Sequence, residues 1–220
     1  PLLEEDIAFS SMAQDKIGQS HALYRILEDL GEADPDQVAF MRPASAFRNC
    51  IFAELPNGEY DFSLIRHFLY DTATAIRFKL LCRSTYKPLA ELSAKVSAEM
   101  KYHTLHANTW IKQLGAASEE SISRLQTSLN LAAPYAKGMF ERSGFEAELI
   151  NDGIFAGEAL LEAQWAETVK AVLAETQLIA PDWDRIVGIF GGRIGKHSEH
   201  IQPLLDEMSE VFRIHPTAEW

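Results

Sequence analysis

Apolar residues recur every three or four positions through long stretches of this sequence, and no stretch alternates convincingly at every second position. That period belongs to helices packed by one face, and a sequence that lacks the two-residue period builds no half-buried sheet. A first helix is predicted from about Glu4 to Leu30, where Gly31 supplies a left-handed stop. A second covers about Asp61 to Cys82, with Phe62, Ile65, Leu69, Ala73, Ile76 and Leu80 along one side. Pro88 suits the first turn of a third, which runs to Leu114 and halts at Gly115. A fourth starts at Ser118 with acids in its first turn and reaches about Arg142, with Pro134 expected to bend or break it. A fifth spans about Glu158 to Thr176, and a last helix runs through Leu204, Leu205, Met208, Val211 and Phe212 to Ile214, with Pro203 in its first turn. Residues 31–60 read as a long loop holding a brief helix near Ala46 to Leu55, and 144–157 as a connector. The expectation is all-α: one domain over residues 1–220, with core helices within 4–142 and a C-terminal extension over 143–220.

Composition narrows what such a bundle does. The net charge of −12, from 32 acids against 20 bases, repels phosphate backbones and argues against nucleic acid as a partner. No apolar run approaches the ~20 residues that cross a bilayer, and no signal segment opens the chain, so a cytoplasmic protein without membrane contact is expected. Pro1 is not an initiator methionine. Cys50 and Cys82 lie outside any CxxC spacing and read as free thiols of a reducing compartment, with a disulfide as the alternative. Trp110, Trp165 and Trp183 read as core or interface anchors, and Trp220 as an end residue, loose or docked on a partner.

The chemically informative feature is acid on apolar stripes. Ala8, Met12, Asp15, Gln19, Ala22 and Ile26 share one face of the first helix; Leu64, Phe68, Asp71, Ala75 and Phe78 one face of the second; Leu92, Val96, Glu99, His103, His106 and Trp110 one face of the third. A carboxylate facing a packed core costs several kcal/mol unless paired, hydrogen-bonded or metal-bound. Asp15, Asp71 and Glu99 therefore point to a shared polar centre. Bundles that hold two irons build it from inward Glu residues and Glu-x-x-His pairs. Here Gly18 stands three residues after Asp15, Thr74 three after Asp71 and Tyr102 three after Glu99. His103, about 100° further round the helix, is not expected to replace the missing imidazole. Two readings stay open: acids satisfied by protein partners, or a metal site on Asp15, Asp71, Glu99 and His103.

The tail holds a second candidate. Arg193, Lys196, His197, Glu199 and His200 follow Gly188, Gly191 and Gly192 and flank Gly195. They read as a capping and turn segment, as a partner or ligand contact, or as a metal site on His197 and His200 with Glu199 alongside, and the glycines beside Arg193 and Lys196 match no P-loop pattern. No Gly-x-Ser-x-Gly elbow is present, and neither cysteine has a catalytic setting.

Several stretches resemble the PaaC-type subunits of the bacterial phenylacetyl-CoA epoxidases, also called ring 1,2-phenylacetyl-CoA monooxygenases. They are Leu3 to Ala8, Asp15 to Gln19, Glu54 to Gly58, Ser93 to Val96, Glu99 to His103, Gly191 to His200, and Leu204 to Met208, in family order over nearly the whole chain. The resemblance implies a ferritin-like long-helix bundle with additional C-terminal helices. It implies a non-catalytic structural subunit, in a homo- or hetero-oligomer, beside a PaaA-like catalytic subunit that holds the di-iron centre and binds phenylacetyl-CoA. No cofactor is expected in this chain. Asp15, Asp71 and Glu99 would occupy degenerate metal-helix positions, with Gly18, Thr74 and Tyr102 where partner ligands would stand. Relatives begin with an extra helix that this sequence lacks, so the first core helix is expected to be absent and the stripe on residues 4–30 to lose a neighbour. The rival expectation is a metal-dependent ferritin-like oxidoreductase or iron-handling protein in its own right.

Overall fold

A computed structural model describes residues 2–216; Trp220 lies outside the described residues. Among the described residues there is no strand. Eight α-helices follow in order: α1 (Leu3–Asp29), α2 (Pro35–Phe40), α3 (Tyr60–Leu81), α4 (Lys87–Leu114), α5 (Glu119–Lys137), α6 (Glu146–Asn151), α7 (Glu158–Leu173) and α8 (Ile201–Ile214). The architecture is all-α, as the periodicity predicts, and a ferritin-like bundle, as the resemblance implies. No described helix is long and apolar enough to cross a membrane.

Local chemistry explains the boundaries. Past the end of α1, Gly31 takes φ +103°, and the amides of Gly31 and Glu32 return to the carbonyls of Glu28 and Leu27. The Ser118 hydroxyl accepts the amide of Ser121 and caps α5. Asp34 caps α2 in the same way, with Pro35 in the first turn, so a helix stands where only loop is predicted. The brief helix expected near Ala46 to Leu55 is instead two single 3-10 turns, Ala44–Ala46 and Ile51–Ala53. Pro134 does not interrupt α5, which runs three residues beyond it before tightening into the turn Gly138–Phe140. So near a C-terminus, proline deletes one amide bond and little helix remains to be deflected.

Helices α3 and α4 pack along each other, α1 lies on α4, and α5 and α7 cover the far side of α3. Between them Leu64, Ile65, Phe68 and Leu69 of α3 meet Ile111, Leu129 and Leu161, all excluded from solvent. Each such side chain contributes about 1.5–3 kcal/mol by burial. Trp165 and Trp183 are the core anchors expected of them: their rings meet edge to face at 4.5 Å, and Trp165 Nε1 donates to the Leu69 carbonyl at 2.9 Å. Residues 174–200 then run back over the bundle and deliver α8 to α2, where Phe40 and Phe212 stack at 4.9 Å. Cys50 and Cys82 are free. Along α1, Ala8, Met12 and Gln19 of the predicted stripe are buried, and Leu3, Ile7 and Ile17 are exposed.

Candidate functional site

Asp15, Asp71 and His103 come together between α1, α3 and α4. The apolar periodicity of α3 carries Asp71 inward with Phe68 and Leu64, leaving its side chain 1% exposed. Its Oδ2 faces two imidazoles, His103 Nδ1 at 3.1 Å and His67 Nδ1 at 3.0 Å, and its Oδ1 takes the ammonium of Lys16 at 2.5 Å. His103 is fully buried, and its second nitrogen, Nε2, lies 3.0 Å from Asp15 Oδ2. One imidazole thus bridges the acids of two helices.

Burial acts to raise the Asp71 carboxyl, but the His103 hydrogen bond, the His67 contact and the Lys16 charge outweigh it. The group is held well below the usual carboxylate range. Burial acts to lower His103, yet its bonds to Asp71 and then Asp15 prevail and raise it. An imidazole with a carboxylate at each nitrogen is satisfied only when both nitrogens carry protons. The centre is therefore two carboxylates balanced by an imidazolium and an ammonium, all supplied by the chain.

Similar pairing occurs above and below. Tyr60 donates to Glu5 at 2.8 Å, and burial followed by that bond pushes the phenol up. His106 Nε2 meets the same carboxylate at 3.2 Å. One level further along α1, Gln19 donates to Glu99 at 3.0 Å. A cavity of about 830 Å3 opens between α1, α3 and the 53–58 loop, with Phe9, Met12 and Tyr60 on its walls and Asp71, Lys16 and His67 in its lining.

Spacing puts Asp15, Asp71 and His103 on inner faces, where they meet, and misplaces Glu99. The buried line of α4 is Val96, Met100, His103, Ala107 and Ile111, so Met100, not Glu99, is the fully buried residue of its turn. Glu99 sits to one side with Gln19, and Tyr102 is 49% exposed. His103 is inward, as its place on the α4 stripe predicts, and it takes both acids. Gly18 is exposed, and Thr74 spends its hydroxyl on the Tyr70 carbonyl. Glu5, Lys16, Tyr60 and His67 were missed. For His67 a signal existed: it precedes Asp71 by four residues and so shares its face.

The tail candidates divide. His197 is tied inward, Nδ1 to Glu54 at 2.6 Å and Nε2 to the Phe47 carbonyl at 3.2 Å. Ser198 gives its amide and hydroxyl to the other Glu54 oxygen. Arg193 joins Arg77 on the buried carboxylate of Glu158. His200 sits at the α8 N-cap without a side-chain cap bond, and Lys196 and Glu199 are exposed.

A donor set that would hold iron needs free lone pairs on imidazole and carboxylate. Here both His103 nitrogens face carboxylates and an ammonium rests on Asp71. The residues present do not fit a di-iron centre.

The family model described as phenylacetic acid catabolic protein matches residues 1–220. The chain belongs to that family. It is also similar to one of the subunits of the 1,2-phenylacetyl-CoA epoxidase of Escherichia coli (strain K12), at 30% identity over 221 residues, covering 100% of this chain and 88% of the relative. Within the phenylacetic acid catabolic family, the present chain pairs its inner acids with its own cations.

Proposed function

We propose that this chain is a structural, non-catalytic subunit of a multicomponent phenylacetyl-CoA epoxidase in aerobic phenylacetate catabolism, pairing with a separate subunit that holds the di-iron centre. The observation that carries this reading is the placement of His103 between Asp15 and Asp71 with Lys16 on the latter, which uses the inner acids for cohesion. The full-length similarity to a protein named as an epoxidase subunit supplies the reaction. Exposed Leu3, Ile7 and Ile17 on α1, with Tyr102 and Leu105 on α4, offer apolar surface of the kind that interfaces between subunits cover. No cofactor is assigned to this chain; its part is to hold and position the catalytic partner.

Reconstitution tests this. The catalytic subunit of the same source is assayed for oxygen-dependent conversion of phenylacetyl-CoA with and without this chain, and the two are co-purified. The reading expects a stable complex and activity that depends on it. Failure to co-purify, or turnover by this chain alone, contradicts it.

A further inference from the structure

Away from the buried acids, the fold builds a second cavity of about 810 Å3, and its charge is opposite to that of the whole chain. Among the described residues, Arg48, Arg77 and Arg193 line it and no carboxylate does, in a protein with 12 more acids than bases. The size lies within the usual range for small-molecule pockets, about 300–1,000 Å3.

Two of the guanidinium groups are fixed from behind. Glu158, with its side chain 4% exposed, receives Arg77 at 2.7 and 2.9 Å and Arg193 at 2.6 Å, while Arg193 also reaches the Met139 carbonyl. The third, Arg48, spends Nη1 on the carbonyls of Ser45 and Phe47, and no acceptor among the described residues takes its Nε or Nη2. Three cations line the cavity and the carboxylate that pairs two of them lies outside its lining, which leaves cationic charge facing the space for an anion such as phosphate. Glycines on either side of Arg193 and Ile194 let the tail close against Asn49 and Arg48: a Cβ on Gly192 would lie 2.1 Å from the Asn49 carbonyl oxygen, and one on Gly195 2.7 Å from Arg48 Nη1. The remaining lining is largely apolar, with Leu23, Ala73 and Phe145 among it.

We propose that this cavity binds a phosphorylated organic anion, the phosphate held by Arg48, Arg77 and Arg193 and the apolar body lying against Leu23, Ala73 and Phe145. Arginine forks suit phosphate oxygens, and partial burial strengthens each contact over its value in water. The assignment is independent of the role proposed for Asp15, Asp71 and His103.

Titration calorimetry of the full chain at fixed ionic strength, with inorganic phosphate and phenyl phosphate as probes, tests it. Saturable one-to-one binding of both is expected, tighter for phenyl phosphate. Arg48→Ala should weaken it about tenfold, the order expected for one charge-assisted hydrogen bond. Arg48 is exposed, so its removal should leave the chain folded, with a melting temperature lowered by no more than the loss of its bonds to the Ser45 and Phe47 carbonyls, and Lys95→Ala, which deletes a charge elsewhere, should leave the affinity unchanged. Absence of saturable binding, or equal weakening by the two substitutions, would overturn the site. Phenyl phosphate binding no tighter than inorganic phosphate would overturn the apolar subsite.

Discussion

His103 Nδ1 lies 3.1 Å from Asp71 Oδ2, and neither side chain is more than 1% exposed. A buried ionic contact of this kind is costly to half-remove, because the surviving partner stays desolvated and unpaired. Asp71→Ala is therefore expected to cost about 3–5 kcal/mol in urea or guanidinium unfolding. Glu99→Ala, which deletes one bond to Gln19 on the flank, should cost about 1 kcal/mol. Equal losses would contradict the placement of the centre on Asp71.

The same network sets a pH window. Asp71 is depressed in the fold, so its stabilisation is present above the unfolded value of about 3.9 and is lost as pH falls toward the folded value. His103 is raised, so its stabilisation is complete below about 6.5 and is lost as pH climbs through the folded value. The difference in melting temperature between the natural chain and Asp71→Asn should be largest between about pH 4 and 6.5. It should shrink on both sides, and a difference independent of pH would count against the network.

Much of this fold is legible from local chemistry. Gly31, Gly115 and Ser118 mark the ends of α1 and α4 and the start of α5 close to where sequence alone puts them, since capping depends on neighbours in the chain. The Asp34-Pro35 start of α2 carried the same kind of signal and went unread. At the site, the inner stripe of α4 is legible as far as His103, but a one-residue error at Glu99, about 100° of rotation, puts that acid in the centre where Met100 is buried. Lys16 could not be placed because its pairing with Asp71 joins two helices 55 residues apart. Glu54 was equally hidden: its partners His197 and Ser198 lie more than 140 residues away.

That distant clamp makes its own prediction. Glu54 is buried and accepts from Asn49 as well as His197 and Ser198, so it fastens the 174–200 segment to the loop before α3. Glu54→Ala should cost about 3–5 kcal/mol and raise amide hydrogen exchange across residues 188–200 far more than across α3 and α4. Uniform acceleration would mean the tail is held elsewhere.

The indole of Trp165 packs against Phe140 and Trp183 and bonds the Leu69 carbonyl, joining α7, the tail and α3. Trp165→Ala is expected to cost about 3–5 kcal/mol from cavity formation, and Trp165→Phe less. Thermal and denaturant unfolding check both, and a loss below about 1 kcal/mol for alanine would place this residue outside the cooperative core.

The central claim is that the inner acids are neutralised by protein cations instead of iron, and metal analysis after anaerobic loading tests it most directly. The chain is incubated with excess ferrous iron, desalted and assayed for iron per polypeptide, alongside Asp71→Asn. The account predicts negligible retained iron in both. Two irons retained per natural chain, and lost in the variant, would contradict it.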